Sequence, residues 1–402
     1  MGLLSPARPM TFIRVLTIAA SLALFTTAAS AATPCGEPCR TLVQDAHVLE
    51  GQGKFKEALD KYQAAEKADP QASLPLSLQA GLFLKLSSVS PKDKAGQVRE
   101  TARALAERAS ALASDDPIAH EVLRMLDDDG VSPLHTPNPE AAQLLAEGAA
   151  LFAQRKAKES LLKYEAAMQA DPKASGAWVG AADYHFMQGD WPRAEALFRR
   201  ATEIEPKNAQ AWRFLSDALL AQGQRAPAEA ALYSSIAADP SQRPSWGKLA
   251  RLRAAAGLPL KALAFRRGVR VVQGADGKFT INVDKSVAES ANTPNYAIRL
   301  ALAMGEVNLR KDAAAKGRSP YEIELDAWRL ALKVMDEAGA AGGEGVSDPA
   351  LLQMQALARD GQLEPAILLL MFRQSFRPAL EARLAANPGG VKLFIDRYGL
   401  QP

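Results

Sequence analysis

Residues 172–206, PKASGAWVGAADYHFMQGDWPRAEALFRRATEIEP, decide the fold of this chain, because their pattern returns in the residues that follow. Tryptophans are spaced 34 residues apart, at Trp178, Trp212 and Trp246. Prolines keep the same spacing, at Pro172, Pro206 and Pro240. A fixed period of this length is characteristic of stacked helix-turn-helix units. The sequence therefore predicts an array of such units, with the indoles in equivalent core positions.

Each unit has the same internal order: helix A, a turn with a glycine, helix B, and a proline that ends helix B. The turn glycines of successive units are Gly189, Gly223 and Gly257. The unit before them, residues 141–174, has Gly148 where its two helices are expected to approach closely. The unit that begins at Trp246 matches the repeat pattern only in its first half, since Arg266 and Gly274 replace its aromatic residue and its proline.

These residues resemble the tetratricopeptide repeat (TPR) family, whose pattern is W-x2-L-G-x2-Y…A-x3-F-x2-A…P. One unit matches this pattern almost in full, at Trp178, Ala194, Phe198, Ala201 and Pro206. An earlier unit is similar, at Gly53, Ala58, Tyr62, Ala65 and Asp69-Pro70. Ala182 and Ser216 replace the family's glycine, and both are small enough to keep the close helix contact. The resemblance implies an all-α fold, a TPR-type α-solenoid of helix-turn-helix repeats.

The order of these segments predicts the domain organisation. We expect a signal peptide at residues 1–32, N-terminal TPR-like helical repeats at 33–130, a central TPR array at 141–268, a β-hairpin insert at 269–284 and a helical C-terminal module at 290–402. The hairpin is predicted because VRVV and FTINV flank Asp276-Gly277 with alternating apolar residues. We expect the C-terminal module to cap the apolar face left by the final repeat.

The N-terminus has the pattern of a secretory signal peptide. Arg8 and Arg14 accompany an apolar run at residues 15–25, and small residues then allow cleavage near Ala31 or Ala32. The apolar run is too short to span a bilayer, and no later stretch reaches about 18 apolar residues, so no membrane span is expected in the mature chain. The predicted location is therefore the periplasm, or secretion from the cell.

The chain has only two cysteines, Cys35 and Cys39, which come just after the predicted cleavage site. An exported chain meets an oxidising compartment, so a local disulfide between them is the simplest interpretation. A redox pair is an alternative, although the spacing is C-x3-C and no strand precedes it. A metal site is the weakest alternative, because two ligands do not close a tetrahedral shell.

Charge and motifs argue against several classes of function. Removing Arg8 and Arg14 with the signal peptide leaves 46 of the 48 Lys and Arg against 45 Asp and Glu, so no nucleic-acid interface is predicted. A Gly-rich phosphate loop, G-x-S-x-G and H-E-x-x-H are all absent from the sequence. His185 is expected to be packed, and His135 in the linker to be solvated. We therefore expect no cofactor, no metal and no enzymatic activity.

Two clusters of charged residues can be interpreted either as functional sites or as structural features. Glu322, Glu324 and Asp326 could do acid–base chemistry, or could be acids in the first turns of a helix that favour the positive end of its dipole. Arg373 and Arg377 could hold a carboxylate or phosphate, or could form a salt-bridged helix end.

The resemblance also places a partner-binding groove on helix A of each repeat. The implied partner-binding residues are Phe152, Val179, Asp183, Phe186, Arg213, Asp217, Leu220 and Arg251, with Leu145 and Ala149 beside them. Asp183 and Asp217 stand where some family members use asparagine to clamp a C-terminal carboxylate, so that clamp is not expected. Asp217 and Arg213 are four residues apart and could pair. The groove is either a solvated face or a surface that recognises an extended or helical peptide.

The sequence thus predicts a non-catalytic periplasmic TPR scaffold or adaptor that binds a protein or peptide in its concave groove. One alternative is an enzyme with its site in the C-terminal module and the repeats as a docking arm. Another is a structural component of an envelope secretion or export assembly. A perturbed carboxylate cluster in a deep C-terminal pocket would favour the enzyme, whereas a continuous inner groove would favour the adaptor. The partner and the oligomeric state are left open by the sequence.

Overall fold

A computed structural model describes residues 35–90, 92–113, 116–127, 134–263, 265, 267–274, 276–283, 285–288, 293–340 and 345–402. The predicted signal peptide and its cleavage site lie outside the described residues. The described chain divides into two compact units. The first unit is residues 134–228, and the second combines the described residues before 128 with those from 229 onward.

The N-terminal part of the second unit is built from paired helices. They are α1 (Cys39–Gly51), α2 (Phe55–Ala68), α3 (Leu74–Val89), α4 (Lys92–Leu112) and α5 (Pro117–Asp127). α1 packs along α2, and α3 packs along α4. Tyr62 of α2 is fully buried, and its hydroxyl donates to Glu50 Oε2 of α1 at 3.0 Å. A disulfide joins Cys35 to Cys39 at the start of α1, with their Cα atoms 5.6 Å apart.

The first unit consists of consecutive helical hairpins. Its helices are α6 (Pro139–Ala153), α7 (Ala157–Ala170), α8 (Ser175–Met187), α9 (Trp191–Ile204) and α10 (Ala209–Ala221). α6 packs along α7, α8 along α9, and α9 also packs along α10. We call α6, α8 and α10 the A helices and α7 and α9 the B helices. The predicted array of helix-turn-helix repeats is confirmed in this unit.

A left-handed residue ends each helix A and starts the turn to helix B. Gly189 and Gly223 have φ angles of 79° and 75°, and Arg155 takes the equivalent place after α6 with φ 64°. In the turn after α8, Asp190 N–H donates to His185 O at 3.0 Å, which closes the end of the helix in a Schellman turn. Residues that have a Cβ atom rarely adopt this backbone conformation. Of these three turns, only the one at Arg155 is therefore strained.

The indoles occupy equivalent places in their repeats, as predicted. Each indole Nε1 donates to the carbonyl of the proline six residues earlier, at 3.4 Å for Trp178, 2.9 Å for Trp212 and 2.8 Å for Trp246. The expectation that all of them are core residues is wrong. Only Trp246 is buried, at 2% exposed, whereas Trp178 and Trp212 are half-buried. Trp246 differs because helices of the C-terminal module share its hydrophobic cluster.

Glycines of two A helices make room for one tyrosine of a B helix. Tyr164 is 3% exposed, and its ring packs against Gly148 of α6 and Gly180 of α8. A Cβ atom would lie 2.8 Å from this ring at Gly148 and 2.5 Å from it at Gly180. Any larger residue would displace the ring, so the predicted close approach at Gly148 is confirmed.

The C-terminal part of the second unit contains the remaining elements. They are α11 (Arg225–Ala238), of which residues 229–238 belong to this unit, α12 (Arg243–Ala254), β1 (Lys261–Ala262), β2 (Val269–Gln273), β3 (Phe279–Val283), α13 (Lys285–Ala288), α14 (Pro294–Lys316), α15 (Pro320–Ala340), α16 (Pro349–Arg359), α17 (Leu363–Leu370), α18 (Arg377–Ala386), α19 (Gly390–Tyr398) and β4 (Leu400–Gln401).

Strands contribute two small pairings to this part. β2 and β3 form the predicted antiparallel hairpin, with Val269 opposite Val283. Val269 packs against Ala303 of α14, so the hairpin lies against a helix as expected. The sequence did not predict the second pairing, in which β1 and β4 run parallel with Lys261 opposite Leu400. Strands of two residues are too short to show an alternating pattern in the sequence.

Helices of the C-terminal module cover the last repeat. Trp246 and Leu249 of α12 belong to one buried cluster with Trp328 of α15 and many other apolar residues of the module. Arg377 Nη1 donates to the carbonyl of Ala238, where α11 ends, at 2.8 Å. The module therefore caps the final repeat. Within the described part of the chain, every helix is too short or too polar to cross a membrane.

Candidate partner-binding face

The A helices of the first unit place nine predicted groove residues in three rows. We call these residues the A-helix face; they are Leu145, Ala149, Phe152, Val179, Asp183, Phe186, Arg213, Asp217 and Leu220. Equivalent residues are 34 positions apart, because each helix begins a new repeat of the same geometry. α6 contacts α8, and α8 contacts α10, so each row crosses neighbouring helices.

One row is apolar and open to solvent. It consists of Phe152, Phe186 and Leu220; the two phenylalanines are half-buried, and Leu220 is 37% exposed. Met187, next to Phe186, is 50% exposed. Burying such surface against a partner is worth about 25 cal/mol for each Å² of apolar area removed from water. This row can therefore contribute binding energy.

A second row brings two acids beside a buried arginine. Asp183 is 9% exposed and Arg213 8% exposed, whereas Asp217 is half-buried. Burial lowers the pKa of Arg213, and the charges of Asp217 and Asp183 oppose that shift. The guanidinium carbon of Arg213 lies 4.4 Å from the centroid of the Phe214 ring, and its Nε lacks a hydrogen-bond partner. The guanidinium of Arg213 is thus buried within the face. Of these three charged residues, Asp217 is the most exposed.

The remaining predicted residues contribute less contact surface. Val179 is only 4% exposed, so it serves packing between helices. Leu145 is half-buried and lies near Gly176 of α8. Arg251 belongs to α12 in the second unit and is exposed. We therefore restrict the candidate site to the first unit, where Phe186, Asp217 and Leu220 are accessible.

The carboxylates that follow the B helices hold the chain at or just before the start of an A helix. Asp171 accepts a hydrogen bond from Asn138 N–H at 3.0 Å and another from His135 Nε2 at 2.9 Å. Glu205 accepts hydrogen bonds from the Ser175 hydroxyl and from His135 N–H. His135 is exposed, as predicted, and it also ties the chain before α6 to Glu205 and Asp171. The Asp-Pro and Glu-Pro pairs were the sequence signal for these contacts.

The hydrogen bond from His135 lowers the pKa of Asp171, with a further contribution from the backbone N–H of Asn138. These contacts favour the ionised carboxylate. The segment before α6 is therefore held most firmly while Asp171 is charged.

The acidic cluster of α15 is structural. Glu324 is 5% exposed and pairs with Arg267 at 2.8 Å, and its Oε1 accepts a hydrogen bond from Trp328 Nε1 at 3.1 Å. Burial alone would raise the pKa of Glu324, but the charges of Arg267 and Arg373 outweigh burial and lower it. A carboxylate held ionised in this way is a poor proton donor near neutral pH.

The other members of the two charged clusters also have structural partners. Glu322 and Ser319 form a capping box, in which Ser319 N–H donates to Glu322 Oε2 at 2.7 Å. Asp326 pairs with Arg329 at 2.9 Å. Arg377 is 7% exposed and lies 4.0 Å from Asp239, and Arg373 lies 3.8 Å from Glu324. The interpretation of these arginines as a salt-bridged helix end fits these contacts.

The described residues contain no group of three or more side chains placed to hold a metal ion. His185 is packed, as predicted, at 7% exposed, and burial lowers its pKa. A cavity of about 440 Å³ lies among α2, α3 and α4. Glu66 spans it, accepting hydrogen bonds from Gln79 at 2.8 Å and from Arg108 at 2.7 Å. This cavity lies outside the C-terminal module, where the enzyme alternative placed its site.

A family model for the tetratricopeptide repeat matches residues 151–218 and, overlapping them, residues 185–252. These ranges contain α8, α9 and α10 and reach into α12. No curated protein matches the chain.

Several solved structures are similar to the chain. The first TPR of Spaghetti (RPAP3) bound to the HSP90 peptide SRMEEVD is 20% identical over 31% of this chain and 98% of that chain, with a TM-score of 0.28. The TPR2AB-domain:pHSP90 complex of yeast Sti1 is 14% identical over 55% of this chain and 86% of that chain, with a TM-score of 0.28. A thermophilic TPR protein of Thermus thermophilus, TTC0263, is 16% identical over 54% of this chain and 99% of that chain, with a TM-score of 0.25.

Proposed function

Because this chain belongs to the tetratricopeptide repeat family, we propose that it is a non-catalytic scaffold or adaptor whose A-helix face binds a protein or peptide partner. One observation carries the proposal: Phe152, Phe186 and Leu220 form a partly exposed apolar row at equivalent positions of three successive A helices. Neighbouring apolar side chains that stay partly exposed to water are typical of a surface that a partner covers.

The spacing of the A helices sets the length of the partner segment. Neighbouring packed helices are about 8–10 Å apart, so three of them span about 20 Å from first to last axis. An extended chain rises about 3.3 Å per residue, so a segment of about six residues reaches across all three helices. A short extended peptide therefore fits this face.

We also propose that the chain works after export, in the periplasm. The signal-peptide pattern at residues 1–32 supports export. The disulfide between Cys35 and Cys39 supports an oxidising compartment. Cell fractionation with thiol labelling tests this location: a cleaved periplasmic chain without free thiols is expected, and a full-length cytosolic chain with two reactive thiols would contradict it.

Selection from an unbiased peptide display library against the mature chain tests the binding function. We expect enriched peptides whose affinity falls at least about tenfold, or 1.4 kcal/mol, in the variant Phe186→Ala. Leu162→Ala is the matched control, because Leu162 is 65% exposed on the B helix α7. Failure to enrich any peptide, or equal losses in both variants, would contradict binding at the A-helix face.

A further inference from the structure

Within the described residues, the hairpin of β2 and β3 is a sheet of two strands, so each strand has an outer edge. The turn of the hairpin fixes which backbone groups point outward. Gly274 N–H donates to Lys278 O at 2.8 Å, and Gly277 N–H donates to Gly274 O at 2.9 Å. This is the pattern of a three-residue loop that ends in a left-handed glycine, and Gly277 has φ 77°. Gly274 and Lys278 therefore form a hydrogen-bonded pair of the antiparallel ladder.

The backbone groups of β3 point alternately toward β2 and away from it, because hydrogen-bonded and non-hydrogen-bonded pairs alternate along such a ladder. Counted from the pair at the turn, Thr280 and Asn282 bond to β2, whereas Phe279, Ile281 and Val283 direct their N–H and C=O groups away from it. These outward groups have no hydrogen-bond partner in the part of the chain that the structure describes. The outer edge of β3 therefore presents a row of unpaired donors and acceptors.

The side chains along this edge are apolar and incompletely covered. Phe279, Ile281 and Val283 pack against the small cluster that joins the hairpin to α14, and all three remain half-buried. In β2, by contrast, Val269 is 3% exposed and Val271 is 7% exposed. A strand added beside β3 would cover the remaining apolar surface, whereas a strand added beside β2 would find little left to cover.

β3 also lacks the features that commonly protect a free edge. Its sequence, FTINV, has no charged residue and no proline, and its register with β2 runs without a bulge. Lys278, just before the strand, pairs with Asp276 at 3.2 Å, so its charge is compensated within the turn. Two such edges can therefore approach each other without bringing uncompensated like charges together.

We infer that the outer edge of β3 pairs with the same edge of a second copy of this chain, antiparallel and centred on Ile281. In this register Ile281 faces Ile281 of the second copy, and Phe279 faces Val283 of the second copy. Outward groups then meet outward groups, with two hydrogen bonds at each of the three facing pairs. Phe279 opposite Val283 is also an aromatic–β-branched pair of the kind that stabilises sheets.

The product is a four-stranded sheet with α14 of both copies on one face. The half-buried side chains of the two β3 strands then cover one another. This inference goes beyond the proposed function, because the hairpin belongs to the second unit and the A-helix face to the first.

Sedimentation velocity of the mature chain over a range of concentrations tests the pairing. β3 has five residues, which is a small contact for two proteins, so we expect a monomer–dimer equilibrium with a Kd of about 1–100 µM. Ile281→Pro removes an outward N–H group and places a ring where the second copy would lie, while the N–H groups that bond to β2 remain. This variant should weaken dimerisation at least about tenfold.

Gln273→Pro is the matched control, because Gln273 is an exposed residue of the same hairpin whose N–H points outward from β2 rather than from β3. The control should dimerise like the unchanged chain. Circular dichroism melts establish that both proline variants are folded.

Single cysteines test the register without a proline. Thr280 would face Asn282 of the second copy in a non-hydrogen-bonded pair, with Cα atoms about 4.5 Å apart. Thr280 of one copy would lie diagonally, about 7–8 Å, from Thr280 of the other, which is too far for a disulfide. A mixture of Thr280→Cys and Asn282→Cys chains should therefore form disulfide-linked dimers under mild oxidation at least about tenfold faster than either variant alone. The native cysteines are already bonded to each other.

A chain that sediments as a monomer up to about 300 µM, well above the expected Kd, would overturn the inference. A dimer that survives Ile281→Pro unchanged would also overturn it, since the contact would then lie elsewhere. Equal losses in Ile281→Pro and Gln273→Pro would count against pairing at β3. Crosslinking of Thr280→Cys alone as fast as in the mixture would contradict the register centred on Ile281.

Discussion

The repeats at Trp212 and Trp246 have the same local geometry and different surroundings. Both indoles donate to a proline carbonyl six residues earlier, at 2.9 and 2.8 Å. Trp212 in the first unit is half-buried, whereas Trp246 in the second unit is 2% exposed within a large apolar cluster. The repeat pattern therefore sets the position of the indole, and the rest of the chain decides whether it is a core residue.

The carboxylates at the ends of the B helices show the same difference. Glu205, at the end of α9, accepts a hydrogen bond from Ser175 at the start of α8 in the same repeat. Asp239, at the equivalent position one repeat later, accepts one from Gln374 of the C-terminal module at 3.1 Å. One position thus joins the two helices of a repeat in the first unit, and joins a repeat to the capping module in the second.

The largest expected effect is that of Trp246→Ala. Removing a fully buried indole should cost about 3–5 kcal/mol of unfolding free energy, since a cavity remains in the cluster. Trp212→Ala should cost about 1–2 kcal/mol, because less apolar surface is lost from the interior. Urea denaturation followed by circular dichroism measures both. Equal losses would show that the C-terminal module does not make the difference.

The next effect concerns the ion pair that joins α12 to the terminal helix α19. The Arg253 side chain is 8% exposed and pairs with Asp396 at 2.5 Å, and Asp396 also accepts a hydrogen bond from Tyr233 at 2.9 Å. Arg253→Ala should cost about 2 kcal/mol, less than for a fully buried pair because Asp396 is partly exposed.

Arg251→Ala is the matched control for that variant, because Arg251 is an exposed arginine two residues earlier on the same helix. Its unfolding free energy should change by less than about 0.5 kcal/mol. Thermal melts of the two variants provide the comparison. A loss for Arg251→Ala as large as for Arg253→Ala would mean that charge alone, rather than the capping contact, stabilises α12.

A smaller effect of opposite sign is expected at the turn after α6. Arg155→Gly should raise the unfolding free energy by about 0.5–1 kcal/mol, because relief of left-handed strain exceeds the added freedom of the unfolded chain. Gly189→Ala, at the equivalent turn, should lower it by about 1 kcal/mol. Chemical denaturation of both variants tests this. Destabilisation by Arg155→Gly would show that contacts of the arginine side chain outweigh the strain.

The smallest expected change is in the melting temperature, and it occurs only at acidic pH. The pKa of Asp171 is lowered in the folded chain from its ordinary 3.8, so its contribution to stability is present above pH 3.8 and is lost as the pH falls toward the folded value. Asp171→Asn should therefore flatten the fall in melting temperature between about pH 4 and pH 2. An unchanged acid profile would contradict the role assigned to its contact with His135.

The repeat register could be predicted because it depends on residues that recur. Trp178, Gly189 and Pro206 each mark a local event, namely an indole hydrogen bond, a left-handed turn and a helix end. The pairing of β1 with β4 could not be predicted, since residues far apart in sequence meet over only two positions. The strained turn at Arg155 was also missed, because the sequence has no glycine there to mark it.

The sequence placed the candidate residues on the A helices but did not predict how exposed each of them is. The 34-residue spacing placed Val179 and Phe186 on the same helix as equal candidates, yet Val179 is 4% exposed and Phe186 is half-buried. Exposure depends on how side chains of neighbouring helices pack, which composition does not encode. The burial of Arg213 near Asp183 and Asp217 likewise could not be predicted without the folded chain.

Site-specific photo-crosslinking in the native cell tests the binding function most directly. A photoreactive amino acid is introduced at Phe186 or Leu220 on the A-helix face, and at Leu162 or Glu203 on the B helices as controls. The account predicts that one partner is crosslinked from both A-helix positions and from neither control. Crosslinking of that partner from the B-helix positions, with none from Phe186 and Leu220, would contradict it.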